Sequence, residues 1–220
     1  MGKTALIIGA SGLVGTELVK QLLADADFDS VKVFVRKKLD VNDPKAEQVI
    51  VDFNDLKKYP EQITGDVVFC SMGTTIKTAG SQEAFVKVDY TYVLNFAEIA
   101  KKNGIPRFVI VSSLGVKQNA SNFYLRVKHD VEEALRRLKF HSLIIVRPSL
   151  LLGNRKEFRF GERFAKVVMT GLGFLFIGKL KKYKGIDAAT VAKAMIALSK
   201  TDLEEVSVFE SDRLQVIGRS

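Results

Sequence analysis

Thr4-Ala-Leu-Ile-Ile-Gly-Ala-Ser-Gly-Leu-Val-Gly15 is an apolar run, then three glycines at intervals of three, then the start of an amphipathic segment. In that order the residues read as a strand, a tight turn and the opening of a helix. Gly9 permits the turn, Gly12 lets a ligand approach the backbone, and Gly15 lets the helix pack closely on the strand. Ser11 and the first helical amides, those of Leu13 and Val14, can donate hydrogen bonds to a phosphate, helped by the positive end of the helix dipole. A strand, glycine turn and helix so arranged form the fingerprint of a pyrophosphate site, and the expected ligand is a pyridine dinucleotide.

The same alternation continues downstream. Strands are predicted at Thr4 to Ile8, Val31 to Val35, Gln48 to Val51, Asp66 to Ser71, Arg107 to Ser112 and Ser142 to Val146. Helices are predicted from Leu13 to Ala24, Gln82 to Lys102, Asn122 to Lys139 and Ala188 to Ser199. The strands are short and nearly continuous in apolar character, as strands covered on both faces are. The expected fold is therefore α/β: a doubly wound, mostly parallel Rossmann sheet in the order 3-2-1-4-5-6, with helices on both faces. Lys101-Lys102-Asn103-Gly104 reads as a helix stop, with cations beside exposed carbonyls and a glycine free to take positive φ.

Composition agrees with one compact unit. The 220 residues are 47% hydrophobic and 27% charged, the balance of an ordinary globular protein. Residues 1–220 are thus read as a single domain, with 150–186, rich in glycine and basic residues, as a substrate-side cap. One cysteine, Cys70, allows no internal disulfide, and with only two histidines a usual zinc site is not expected. The run from Ala5 to Ile8 meets glycine too early for a signal peptide or a membrane span, and a cytoplasmic protein is expected. The formal charge of +9 comes with no nucleic-acid-binding module, so it is read as solvated surface with no nucleic-acid partner. A lesser expectation is membrane-surface or protein association through Phe174-Leu-Phe-Ile177 and Lys179, Lys181, Lys182 and Lys184. Oligomeric state is left open.

Several residues at the predicted carboxyl edge of the sheet extend the dinucleotide reading. After the second strand stands Phe34-Val35-Arg36-Lys37-Lys38, where NAD enzymes usually carry an acid for the ribose hydroxyls. Arg36 can instead offer a planar fork to a 2′-phosphate, with Lys37 as a second cation, so NADP is preferred and NAD is the less expected cofactor. Asp52 and Phe53, after the third strand, are candidates for the adenine edge, although an Asp there is also a common turn former. Ser71, Met72, Gly73 and Thr74 follow the fourth strand and are expected to line the ribose side. Cys70 is read as a buried small residue and not a nucleophile.

Tyr124 and Lys128 fall one turn apart on a predicted helix, preceded by Ser112-Ser113 at the end of the fifth strand. The GxxGxxG spacing and this order of residues resemble the short-chain dehydrogenase/reductase superfamily, particularly its extended and atypical branches. The likeness is greatest to the Tat-interactive protein subgroup, through Cys70 to Thr75, Phe85 to Val93, Asn122 to Lys128 and Val146 to Pro148. The resemblance implies NADP binding and hydride transfer to or from a small carbonyl or alcohol. It gives Tyr124 the role of proton donor, Ser113 that of second hydrogen-bond donor to the oxyanion, and Lys128 two tasks: favouring phenolate character and holding a ribose hydroxyl. Pro148 and Ser149 would contact the nicotinamide. Asp89 departs from the asparagine that many extended reductases carry in the central helix. The competing expectation is a cofactor-sensing interaction protein that binds NADP(H) without turning it over.

Overall fold

The computed structural model describes residues 2–153 and 184–219. In chain order it comprises β1 (Lys3–Ile8), α1 (Leu13–Ala24), β2 (Phe28–Val35), β3 (Ala46–Ile50), β4 (Val67–Cys70), α2 (Ile76–Ala79), α3 (Gln82–Val86), α4 (Tyr92–Lys102), β5 (Arg107–Val111), α5 (Phe123–Arg137) and β6 (Ser142–Arg147). Then come β7 (Leu151–Leu152), β8 (Ile186–Asp187), α6 (Ala188–Ser199), β9 (Glu205–Glu210) and α7 (Ser211–Ile217). The main sheet has seven strands in the order β3-β2-β1-β4-β5-β6-β9, all paired parallel. The doubly wound order expected from the sequence is present, with β9 added at one edge.

Side-chain alternation explains how the sheet is covered. Ala5, Ile7, Val31, Val33, Phe69 and Val109 face one way and pack with α1 and α6; Leu6, Ile8, Phe34, Val68, Phe108 and Ile110 face the other and pack with α4 and α5. With period two, each strand feeds both layers, so its sequence reads as continuously apolar. In α1 the core residues Val14, Leu18, Val19 and Leu22 make one stripe, and this helix lies against α6. On the opposite face the rings of Phe34 and Phe96 meet edge to face, with centroids 5.0 Å apart.

Two expectations change. The helix predicted as continuous from Gln82 to Lys102 is interrupted by a wide π-helical turn, Lys87–Thr91, between α3 and α4. Such a turn keeps the apolar stripe on its face while admitting an extra residue, so hydrophobic periodicity does not reveal it. The stop is where the sequence places it, with Gly104 at φ +79°. β9 was not foreseen because, as an edge strand, it leaves Glu205, Val206 and Val208 exposed and has no continuous apolar run. Most of the expected cap, including Phe174 to Ile177, Lys179, Lys181 and Lys182, lies outside the described residues; β7 and β8, at its two ends, pair with each other.

Candidate functional site

The registers Ile8↔Phe34, Ile8↔Cys70, Cys70↔Ile110 and Val111↔Val146 bring the carboxyl ends of the central strands to one edge. In open parallel sheets that edge is where ligands bind. The glycine turn sits there, and each glycine has its own physical reason. Gly9 has φ +84°, and a Cβ on it would stand 2.5 Å from the Met72 amide nitrogen. A Cβ on Gly15 would stand 2.1 Å from the Gly9 carbonyl oxygen, so close packing of α1 on the turn requires its absence. On Gly12 it would meet only the Gly9 and Ser71 carbonyl oxygens, at 3.2 and 3.9 Å. Internal packing therefore accounts strongly for Gly9 and Gly15, but only weakly for Gly12. Gly12 is also the N-cap of α1, without a side-chain cap bond and with no acid in the first turn. An uncrowded backbone at a helix N-terminus fits a pyrophosphate.

Near this turn lies a cavity of about 260 Å³. Among the sequence-predicted residues, Leu13, Ser71, Met72, Thr74, Ser113, Tyr124, Lys128, Pro148 and Ser149 line it. α5 carries two of them: the Asn122 side chain accepts the Tyr124 N–H at 2.8 Å to start the helix, and Lys128 follows one turn later. The Tyr124 ring rests against Phe85, with centroids 5.7 Å apart, and the Lys128 ammonium is 5.9 Å from the Tyr124 ring centroid. Lys128 is buried, and its ammonium is 2.8 Å from the Asp89 carboxylate. Burial, the largest single influence, works to lower the Lys128 pKa, but the Asp89 carboxylate together with Tyr124 and Cys70 outweighs it, so the net shift is upward and the amine stays protonated.

The two serines after β5 have different duties. Ser112 donates to the buried Glu132 carboxylate at 2.5 Å, and that carboxylate also receives Arg147 through Nε at 3.0 Å and Nη2 at 2.5 Å. Both serines line the cavity, but Ser113 Oγ makes only a 3.3 Å contact with the neighbouring Leu114 carbonyl oxygen. Arg147 thus serves a structural carboxylate. The Leu114 N–H donates to the Pro148 carbonyl at 2.9 Å, tying the loops after β5 and β6 together.

Other predicted residues lie beside the cavity or are engaged within the fold. Ser71 donates to the Gly9 carbonyl at 3.1 Å and so braces the glycine turn. Ser149 donates to the Lys184 carbonyl and shares a 2.9 Å hydrogen bond with Ser211. Gly73 lies between Met72 and Thr74 on the loop after β4. Ser11 lines a second groove, of about 650 Å³, between α1 and residues 39–43. Val14 is a core residue, and Arg36 and Lys37 are exposed immediately after β2. The Asp52 carboxylate accepts the backbone N–H of Asn54 at 2.9 Å and its side-chain amide at 2.7 Å, and these bonds lower its pKa despite opposing desolvation. These bonds hold the turn that follows β3. Phe53 is buried against Tyr92. Cys70 is buried, which pushes its thiol up to about 12, as an inert packing residue should be.

Asp89 is the residue that sequence reasoning undervalued. It comes four residues after Phe85 and four before Val93, both core residues, so helical spacing alone puts a carboxylate on the buried stripe. Among the described residues no cluster of three or more His, Cys, Asp or Glu side chains could hold a metal, and no helix is long and apolar enough to cross a membrane.

A family profile described as NAD(P)H-binding matches residues 9–201. Protein HTATIP2 of Rattus norvegicus is 40% identical over 168 residues, covering 74% of this chain and 69% of that protein. Protein FMP52, mitochondrial, of Debaryomyces hansenii is 34% identical over 209 residues, covering 92% of this chain and 90% of that one. Among solved structures, the Bordetella bronchiseptica enzyme WbmH in complex with NAD+ superposes with a TM-score of 0.70 at 18% identity, over 96% of this chain and 76% of that one. At that identity the likeness speaks for the fold alone. The expectation of a cytoplasmic protein is corrected by the Debaryomyces protein and its namesakes in two other fungi, all named mitochondrial. The physical reason is that an apolar run broken by glycine argues against a secretory signal without specifying a compartment.

Proposed function

The chain belongs to the NAD(P)H-binding family, and from that premise we propose that it is an NADP-dependent reductase of the short-chain type, acting on a small carbonyl compound. The observation that carries this reading is the convergence of Ser113, Tyr124 and Lys128 on one cavity at the ligand-binding edge of the sheet. When bound, the nicotinamide supplies the hydride. Tyr124 gives its hydroxyl proton to the carbonyl oxygen as negative charge builds there, so the product is an alcohol, and solvent returns the proton to the tyrosine. Ser113 donates a hydrogen bond to the same oxygen. The Lys128 ammonium stabilises the tyrosinate left behind. The ammonium is ion-paired with Asp89 at 2.8 Å, and a ribose hydroxyl is the expected acceptor for one of its N–H groups. Leu13, Met72 and Leu150 to Leu152 supply apolar walls that exclude water from the reacting oxygen.

The test is NADPH and NADH oxidation over a broad panel of small aldehydes and ketones, together with fluorescence titration of both cofactors. NADPH should bind more tightly and support the faster turnover. Arg36→Ala should weaken NADPH by about 10- to 100-fold, the worth of one or two charge-assisted hydrogen bonds, while NADH changes little. Equal loss for both cofactors would remove Arg36 from 2′-phosphate recognition, and no turnover of any panel member by the wild type would sink the reductase reading.

A further inference from the structure

Asp89 sits on the π-helical turn between α3 and α4, 1% exposed, with two donors converging on its carboxylate. Oδ1 lies 2.8 Å from the Lys128 ammonium, and Oδ2 accepts the Thr74 backbone N–H at 2.7 Å. Only a side chain that accepts at both ends serves both donors. An asparagine would turn its amide N–H₂ towards either Thr74 N–H or the ammonium, setting donor against donor. Charge matters as well as shape, because a lysine removed from water favours its neutral form unless an anion stands beside it. The titratable groups that act on the ammonium are Asp89 from the π turn, at 2.8 Å, Tyr124 from its own helix and Cys70 from β4. The thiol is held neutral by burial.

We propose that Asp89 is a positioning residue that keeps the buried Lys128 charged and anchors it to the loop after β4, so that the ammonium is delivered ready to Tyr124. This rests on the reductase reading of Tyr124 and Lys128 given above. Asp89 stands on the π-helical turn at this point of the helix. It joins Thr74, on the cofactor side of the cavity, to Lys128, on the chemical side.

The test reads the lysine directly, without cofactor or turnover. In protein labelled with ¹³C- and ¹⁵N-lysine, the Lys128 side-chain signal is assigned by its loss in Lys128→Met and followed against pH. The wild-type signal should remain that of an ammonium until alkaline unfolding. In Asp89→Asn it should cross to the neutral amine below the ordinary lysine value of about 10.4, and Asp89→Glu, which restores the charge, should move it back up. An Asn variant whose Lys128 stays protonated up to that value overturns the proposal.

If Asp89→Asn alone does not fold, the double variant Asp89→Asn/Lys128→Met decides. Folding of the double variant supports a carboxylate needed for the lysine, and failure of both shows a role independent of it and overturns the proposal. If the wild type turns over no carbonyl, the reductase reading fails while the nuclear magnetic resonance result stands. If it turns over carbonyls and the Lys128 signal is unmoved in the Asn variant, only the role of Asp89 fails.

Discussion

Tyr124→Phe is expected to lower kcat for carbonyl reduction by about 10²- to 10⁴-fold, the usual contribution of a positioned proton donor. The substitution is well suited to separate chemistry from structure. The Tyr124 ring packs on Phe85 and lies near the Lys128 ammonium, and a phenylalanine keeps both contacts. Its backbone N–H still caps onto Asn122. Only the hydroxyl is lost, so thermal stability and NADPH affinity should change little while turnover collapses. A variant retaining more than about a tenth of wild-type kcat would show that the proton comes from elsewhere, because a lost general acid costs at least a hundredfold. The cofactor-sensing alternative has a different signature: tight NADPH binding by both proteins and no turnover by either.

The second large effect falls on stability. Glu132→Ala should destabilise the fold by about 3 kcal/mol, the lower end of what removing one partner of a buried ion pair costs. Glu132 is itself almost fully buried and gathers Ser112 and Arg147. Removing it leaves the Ser112 hydroxyl buried without its acceptor and the guanidinium without its counter-charge. Arg147 is 18% exposed and can recover some hydration, which sets the effect at the lower end of the range. In urea, the midpoint should fall with the slope unchanged. The double variant Glu132→Met/Arg147→Met should recover much of the loss, because an apolar pair of similar volume leaves no charge unpaired. If the single variant lost less than about 1 kcal/mol, the network would be worth no more than a surface pair. The consequence reaches the site, since this carboxylate joins α5, which carries Tyr124 and Lys128, to the strand ends that carry Ser113 and Pro148.

How much of this was legible beforehand depends on the range of the interactions involved. α1 and α6 begin and end where their periodicity and neighbouring residues place them, because helix propensity and an apolar stripe are local. The strands β1 to β6 are likewise found within a few residues of their expected bounds: the inner five are largely buried runs, and β3, at the opposite edge, keeps only partial burial. β9 escaped notice because an edge strand owes its pairing to β6 and not to its own apolar content. Asp52 shows the limit in another form: a carboxylate after a strand suits a ligand or a turn equally, and its bonds to Asn54 depend on how the loop after β3 is folded.

The sequence by itself determined the glycine turn, the order of strands and helices, and the spacing of Tyr124 and Lys128, since each depends on residues within a turn or two of one another. Tertiary structure alone decided that Ser112 is tied to Glu132, that Arg147 serves the same carboxylate, and that Asp89 closes on Lys128 across 39 positions of chain. The Asp89 and Glu132 pairings are between charges removed from water. Their partners are chosen by which groups packing leaves close together in a low dielectric, a condition that no local pattern of residues encodes.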